Sequence, residues 1–165
     1  MIDIRPIQPE EIPAVKRIIL KVAFGIFGWD GTLEDSTRQL ETSGEFDDLD
    51  HVRSHYFDND GLFLVALSDG GPIGSGALRK LDDRTAELKR MWLLEDYHGQ
   101  GIGYQLITRL FDFARARGYT RIVLQTGREQ TRALAFYQRV GFHEIPSYNE
   151  DLAEVSMEFQ LSENV

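Results

Sequence analysis

The segment His98-Gly99-Gln100-Gly101-Ile102-Gly103 places glycine at every second position, directly ahead of a run with helical periodicity. A strand, a glycine-rich turn and a helix start make an anion site, because exposed backbone N–H groups and the helix N-terminus both favour phosphate. By itself the turn is ambiguous, since glycines also precede helices for steric reasons. Several nucleotide-binding and hydrolytic patterns are excluded. The glycine spacing is not G-x-G-x-x-G, the strand before it closes an antiparallel meander, and the next strand, Leu124-Gln125-Thr126-Gly127, ends on no acidic residue. No Gly-Lys-Ser/Thr follows, and Gly74-Ser75-Gly76 has the wrong spacing for a nucleophile elbow. His51, His55, His98 and His143 form no metal set, and without cysteine there is neither a zinc-thiolate site nor an acyl-cysteine intermediate. We therefore expect no metal.

Composition narrows the setting. A chain of 165 residues, 42% hydrophobic and 27% charged, is one domain of ordinary size able to bury a core, so residues 1–165 are read as a single domain. No window approaches the roughly 18 apolar residues of a membrane span, and the N-terminal residues lack a secretory pattern, so the expected location is cytoplasmic. A net charge of −9 disfavours nucleic acid as a partner. The acidic excess gathers between Glu41 and Asp60, where seven carboxylates face Arg53 alone: Glu41, Glu45, Asp47, Asp48, Asp50, Asp58 and Asp60. This stretch is either a solubilising loop or an electrostatic funnel for an amine.

The elements that must position the turn follow from periodicity. Ile2 to Arg5 reads as a strand, and Ile12, Val15, Ile18, Ile19, Val22 and Ala23 mark an amphipathic helix starting near Glu10. Phe24 to Gly31 breaks that period with glycines and aromatics, which either border a pocket or pack into the core. Helical stretches over Leu33 to Glu41 and Leu49 to Tyr56 come next. Leu62 to Leu67, Ile73 to Leu81 and Thr85 to Leu94 form a three-strand meander. In its last strand Ala86, Leu88, Arg90, Trp92 and Leu94 are expected on one face, with Glu87, Lys89, Met91 and Leu93 on the other. After the glycine turn, Ile102 to Ala114 is a helix stopped by Gly118, Ile122 to Leu124 a strand, and Arg132 to Val140 a helix stopped by Gly141. Phe142 to Ile145 and Val155 to Phe159 close the sheet, and their exposed edge would suit a homodimer. The fold class is α/β (α+β), with a central mixed, mostly antiparallel sheet flanked by helices.

Two stretches carry a family resemblance. Glu87-Leu88-Lys89-Arg90-Met91-Trp92-Leu93-Leu94 with Tyr97-His98-Gly99-Gln100-Gly101-Ile102-Gly103 resembles the acetyl-CoA motif of the GNAT acetyltransferase superfamily. Ala133-Leu134-Ala135-Phe136-Tyr137-Gln138-Arg139-Val140-Gly141-Phe142 resembles that family's later helix. His98 stands where the family usually has Arg or Gln, and Gln130 where it often has Asn; the first 60 residues match in pattern only.

The resemblance implies a GNAT-type fold and direct transfer of acetyl from acetyl-CoA to a primary amine, of a small molecule, a lysine or a protein N-terminus. It implies cofactor contacts from Trp92, Leu93, Leu94, His98, Gly99, Gln100, Gly101, Ile102, Gly103, Tyr104, Gln130 and Tyr137. It also implies an oxyanion-binding main-chain N–H between Trp92 and Leu94. Tyr137 is the expected proton donor to the thiolate, with core packing as the alternative. Glu87 is the expected general base, with pairing to Lys89 as the alternative. Phe27, Trp29 and the stretch Tyr148-Asn149-Glu150-Asp151, Tyr148 and Glu150 foremost, are the expected acceptor contacts. The competing reading is a non-catalytic acyl-CoA-binding or sensing module.

Overall fold

Residues 1–27, 31–152 and 154–161 are described in the computed structural model. Seven strands form one sheet in the order β1-β2-β3-β4-β5-β7-β6. They are β1 (Ile2–Pro6), β2 (Leu62–Ser68), β3 (Gly71–Lys80), β4 (Thr85–Leu93), β5 (Arg121–Thr126), β6 (His143–Ile145) and β7 (Val155–Gln160). Every neighbouring pair is antiparallel except β4 and β5. That parallel pair is joined by a crossover helix, α5 (Ile102–Ala116), because parallel neighbours cannot be linked by a tight turn.

Helices cover both faces, which explains the unbroken apolar run of β2. Phe63, Val65 and Leu67 pack on one side with Val15, Ile19 and Leu20 of α1 (Ile12–Phe27). Phe46, Leu49, Val52 and Tyr56, from the region of α3 (Asp47–Asp50) and α4 (Val52–His55), complete that layer. Leu64 and Ala66 face the other side, where Leu106, Ile107, Leu110 and Ala114 of α5 meet Tyr137 of α6 (Thr131–Val140). A strand buried on both faces needs no polar alternation.

Three sequence expectations change. The first helix does not break at Phe24; it runs on through Gly25 to Phe27 after a short turn at Pro9–Glu11, whose Glu11 carboxylate accepts from the Gln8 N–H. Packing of its inner face outweighs the cost of one glycine. The acidic stretch is not a free loop. It contains the end of α2 (Leu33–Ser43), α3 and α4, and Glu41, Asp48, Asp50, Asp58 and Asp60 are ion-paired to Lys16, Arg90, Lys16, Arg53 and Arg117 in turn.

The third change lies in β4. Ala77 pairs with Lys89 but Ser75 with Trp92, so Gly76 alone faces both Arg90 and Met91. This is a β-bulge, and it reverses the alternation: Ala86, Leu88, Met91 and Leu93 share the α5 face, while Trp92 packs on the α1 face. Arg90 holds a left-handed φ of 57°. Its carbonyl accepts from the buried Ser75 hydroxyl at 2.7 Å, and its guanidinium donates to Asp48 at 2.7 and 3.0 Å. A Cβ on Gly76 opposite would lie 2.5 Å from Met91 Sδ, so any larger residue there would displace that side chain.

Burial pushes the Asp48 carboxyl up, but hydrogen bonding and charge from Arg90, with Tyr56 donating as well, hold it below its ordinary value. A carboxyl lowered in the fold contributes stability that is complete above the unfolded value of about 3.9 and lost as pH falls below it. Asp48→Asn is therefore expected to lose stability at neutral pH and to show a shallower decline below pH ~4, measured as urea midpoints across an acid series.

Candidate functional site

The parallel pairing of β4 and β5 lasts only from Thr85↔Arg121 to Glu87↔Val123. Beyond Glu87 the strands part, β4 staying with β3 and β5 going with β7. Ligands of open sheets bind at the carboxyl ends of parallel strands where neighbours diverge, and two clefts lie at this fork.

The first cleft, of about 500 Å³, is bordered by the glycine turn and α6. Main-chain N–H groups from Gly99 to Tyr104 have no hydrogen-bond partner among the described residues; the first helical bond here runs from Gln105 N to Gly101 O at 3.0 Å. Gly99 and Gly101 both adopt φ of 78° with open space where a Cβ would stand. Left-handed backbone turns the amides outward, and the bare Cα atoms leave room for an anion against them. At Gly103 a Cβ would lie 3.4 Å from Phe136 Cζ, an ordinary packing contact.

Of the residues expected at a cofactor, Trp92, Leu93, His98, Gly99, Gly101, Ile102, Gly103, Tyr104, Gln130 and Tyr137 line this cleft. Leu94 and Gln100 stand outside the lining. The Leu94 N–H donates to Ile73 O at 3.0 Å, which leaves it unavailable as an oxyanion donor. The Gln100 side chain is exposed and reaches back to Asp96 O. His98 holds the turn to β4 through Nε2 and Leu93 O at 3.1 Å, and its buried Nδ1 has no partner among the described residues.

Sequence reading missed Arg132 and Arg139, which with Phe136 put cationic heads and an apolar ring on the cleft side of α6. Their i, i+4, i+7 spacing was the available signal, hidden because the periodicity was read for apolar residues alone. Val22 of α1 was missed as well, whereas Ile26 belongs to the Phe24 to Gly31 stretch, of which bordering a pocket was one reading.

The second cleft, of about 520 Å³, opens between the end of α1 and the fork, and Glu87, Phe27, Lys89, Asp151 and Glu154 line it. Met91, Trp92, Gln130 and Tyr137 line both clefts. The Tyr137 ring is 7% exposed, and its hydroxyl has no hydrogen-bond partner among the described residues. Burial raises its pKa, so the phenol keeps its proton at neutral pH.

Glu87 is paired, but with Arg79 and not with Lys89. Its Oε1 accepts from Arg79 Nε at 2.9 Å, because Arg79 lies directly across the β3–β4 ladder. Its Oε2 accepts from the Tyr148 hydroxyl at 2.5 Å. Burial, then the bond and charge of Glu87, push the Tyr148 phenol up. Tyr148 thus ties the segment from 146 to 152 to the central strand, and Asn149 ties it to β5 by reciprocal 2.8 Å bonds with Gln125. Glu150 is exposed and outside the lining; of the same expected stretch Asp151 lines the cleft, joined by Glu154. Trp29 lies outside the described residues. Among the described residues no group of three or more His, Asp or Glu is arranged to hold a metal, and no helix is long and apolar enough to cross a membrane.

The family model for the Acetyltransferase (GNAT) family matches residues 29–142, the stretch that contains the fork, the glycine turn and α6. The chain belongs to this family. N-acetyltransferase 8B of Homo sapiens is 32% identical over 111 residues, covering 64% of this chain and 49% of its own length. The chain spans about half the length of the curated relatives it matches. An acetyltransferase from Streptococcus agalactiae 2603 superposes with a TM-score of 0.80 at 26% identity, covering 97% of this chain and 98% of that one. A GNAT family acetyltransferase from Elizabethkingia anophelis with acetyl-CoA bound has a TM-score of 0.53 at 26% identity, covering 64% and 79%.

Gly101→Ala places a Cβ before the free amides and costs about 1–2 kcal/mol of left-handed strain. Titration with coenzyme A is expected to weaken by at least roughly tenfold, a loss of about 1.4 kcal/mol. Gly118→Ala, at a φ of 84° beyond the end of α5, carries similar strain and is expected to leave the titration unchanged.

Proposed function

We propose that the protein transfers the acetyl group of acetyl-CoA to a primary amine, with both substrates bound at once. The observation that carries this reading is the meeting of a donor-rich cleft and an acidic cleft at Tyr137. The residues present fit acetyl-CoA: unpaired amides from Gly99 to Tyr104 suit a diphosphate, and Arg132 and Arg139 add positive charge. Val22, Ile26 and Phe136 offer apolar walls for its arm. When bound, it supplies a thioester, an acyl carbon activated toward amines.

This chain's residues then have three tasks. Negative charge developing on the thioester oxygen needs a fixed donor, and with the Leu94 N–H taken by Ile73 and Trp92 on the same β3-facing side of the alternating ladder, the role passes to the main-chain N–H of Leu93. The departing sulfur needs a proton, which the neutral Tyr137 hydroxyl holds at the junction. The acceptor, with a pKa of about 10.4 for a lysine-like amine, must lose one, and a carboxylate of the second cleft is the expected aid.

Glu45, Glu87, Asp151 and Glu154 line that cleft against Lys89 and Arg90, and Arg90 is already committed to Asp48. This balance favours a cation, and Phe27 adds an aromatic face. The acceptor is a small-molecule amine, a lysine or an N-terminal amine; the overall charge of −9 argues against nucleic acid.

Thiol release from acetyl-CoA is expected with amines and not with carboxylate or neutral acceptors. Binding of acetyl-CoA without release under any amine would favour a sensing module. Tyr137→Phe is expected to lower kcat by roughly 10²-fold or more with the KM for acetyl-CoA nearly unchanged, and normal turnover in that variant would reject the proton-donor role.

A further inference from the structure

We propose that Glu154, and not Glu87, takes the proton from the acceptor's ammonium group; this rests on the acetyl-transfer reading above. Four carboxylates line the second cleft, and their surroundings separate them. Glu87 is 6% exposed, with one oxygen bound to Arg79 and the other to Tyr148. Protonating it would weaken both its ion pair with Arg79 and the bond it accepts from Tyr148, so its charge is structural. Glu45 is exposed and lies beside the Arg90 guanidinium, which bonds its carbonyl. Asp151 is exposed, and its main chain is held by Asn149, Ser147 and Gln125.

Glu154 differs from all three. It is half-buried and has no hydrogen bond or ion pair among the described residues. Its place is fixed, because the next residue, Val155, pairs with Thr126 at the carboxyl end of β5. That puts it on the β5 side of the fork, in the cleft shared with Tyr137, Gln125 and Thr126. The titratable groups around it are Asp151, Glu129 and Tyr148, with Glu45, Glu87, Lys89 and Arg90 elsewhere on the cleft wall. Burial first, then Asp151 and Glu129, raise its affinity for a proton above that of an ordinary carboxylate. An unpaired carboxylate of raised basicity is what a cationic acceptor would both neutralise and give a proton to.

The protons balance as follows. The Glu154 carboxylate accepts one proton from the ammonium, which leaves a neutral amine. As the nitrogen–carbon bond forms and the carbon–sulfur bond breaks, the Tyr137 oxygen gives its proton to sulfur and receives the second proton lost by nitrogen. Glu154 then returns its proton to solvent.

The test is Glu154→Gln in the full chain, assayed by amine-dependent thiol release across pH, with acetyl-CoA titration and thermal melts alongside. We expect kcat/KM to fall by roughly 10²-fold and the acid inflection of the rate profile to disappear. Acetyl-CoA affinity should be unchanged. The melting temperature should hold or rise, because a carboxyl raised in the fold is least favourable when ionised and glutamine removes that charge. Glu154→Asp should restore part of the rate together with the inflection. Glu87→Gln should retain the inflection whatever it does to the rate. An unaltered profile in Glu154→Gln, or loss of the inflection in Glu87→Gln, overturns this assignment alone; absence of amine-dependent release from the unmodified protein overturns the acetyl-transfer reading as well.

Discussion

Backbone hydrogen bonding between β4 and β5 stops after Glu87 and Val123, and the site is a consequence of where it stops. Parallel strands need a crossover, and here the crossover helix begins just past the end of β4, after the single turn Glu95–Tyr97. The unpaired N-terminal amides of α5 are therefore delivered to the mouth of the fork by topology. Had the two strands stayed paired to Leu93, the same amides would face a closed sheet. The left-handed glycines refine this arrangement, because they aim donors that the helix start already leaves without partners.

Opposite polarity on the two sides of the fork follows from different sources. In the first cleft the donors are main-chain dipoles with two arginines at the margin, so a protein of net charge −9 still presents a local anion site. In the second, the charge is carried by side chains: four carboxylates, of which Glu87 is compensated by Arg79 and Glu154 is not. The shared wall holds a neutral phenol. Burial that raises the Tyr137 pKa also avoids an ion between the clefts, where an unpaired charge would be costly.

How much of this was legible in the sequence depends on the range of the interactions involved. The glycine turn, α5 and α6 were readable because each is a local pattern: alternate glycines, apolar periodicity, and closing glycines at Gly118 and Gly141. The face assignment in β4 failed beyond Lys89, since a bulge is set by Gly76, Ser75 and Asp48, residues distant in the chain. The partner of Glu87 was misread for the same reason: Lys89 is near in sequence, whereas Arg79 is opposite in the ladder. In the second cleft, Glu154 reaches the wall through a segment anchored by Tyr148 and Asn149, and no periodicity encodes that.

The acidic stretch takes on a different meaning once the fork is seen as something that must be held open. On one side, Asp48 accepts from Arg90 and from the Tyr56 hydroxyl, fixing the bulged part of β4 to the layer of α3 and α4. On the other, β5 is held by its full pairing with β7, and Gln125 adds a 3.1 Å bond to Ser156. Each strand is thus tied on the side away from the gap, β4 to β3 and the helical layer and β5 to β7. A buried charge pair such as Asp48–Arg90 adds little net stability compared with apolar packing, but it tolerates few alternative geometries. That directional demand is what an open fork requires, because apolar contacts alone would be satisfied as well by closing it.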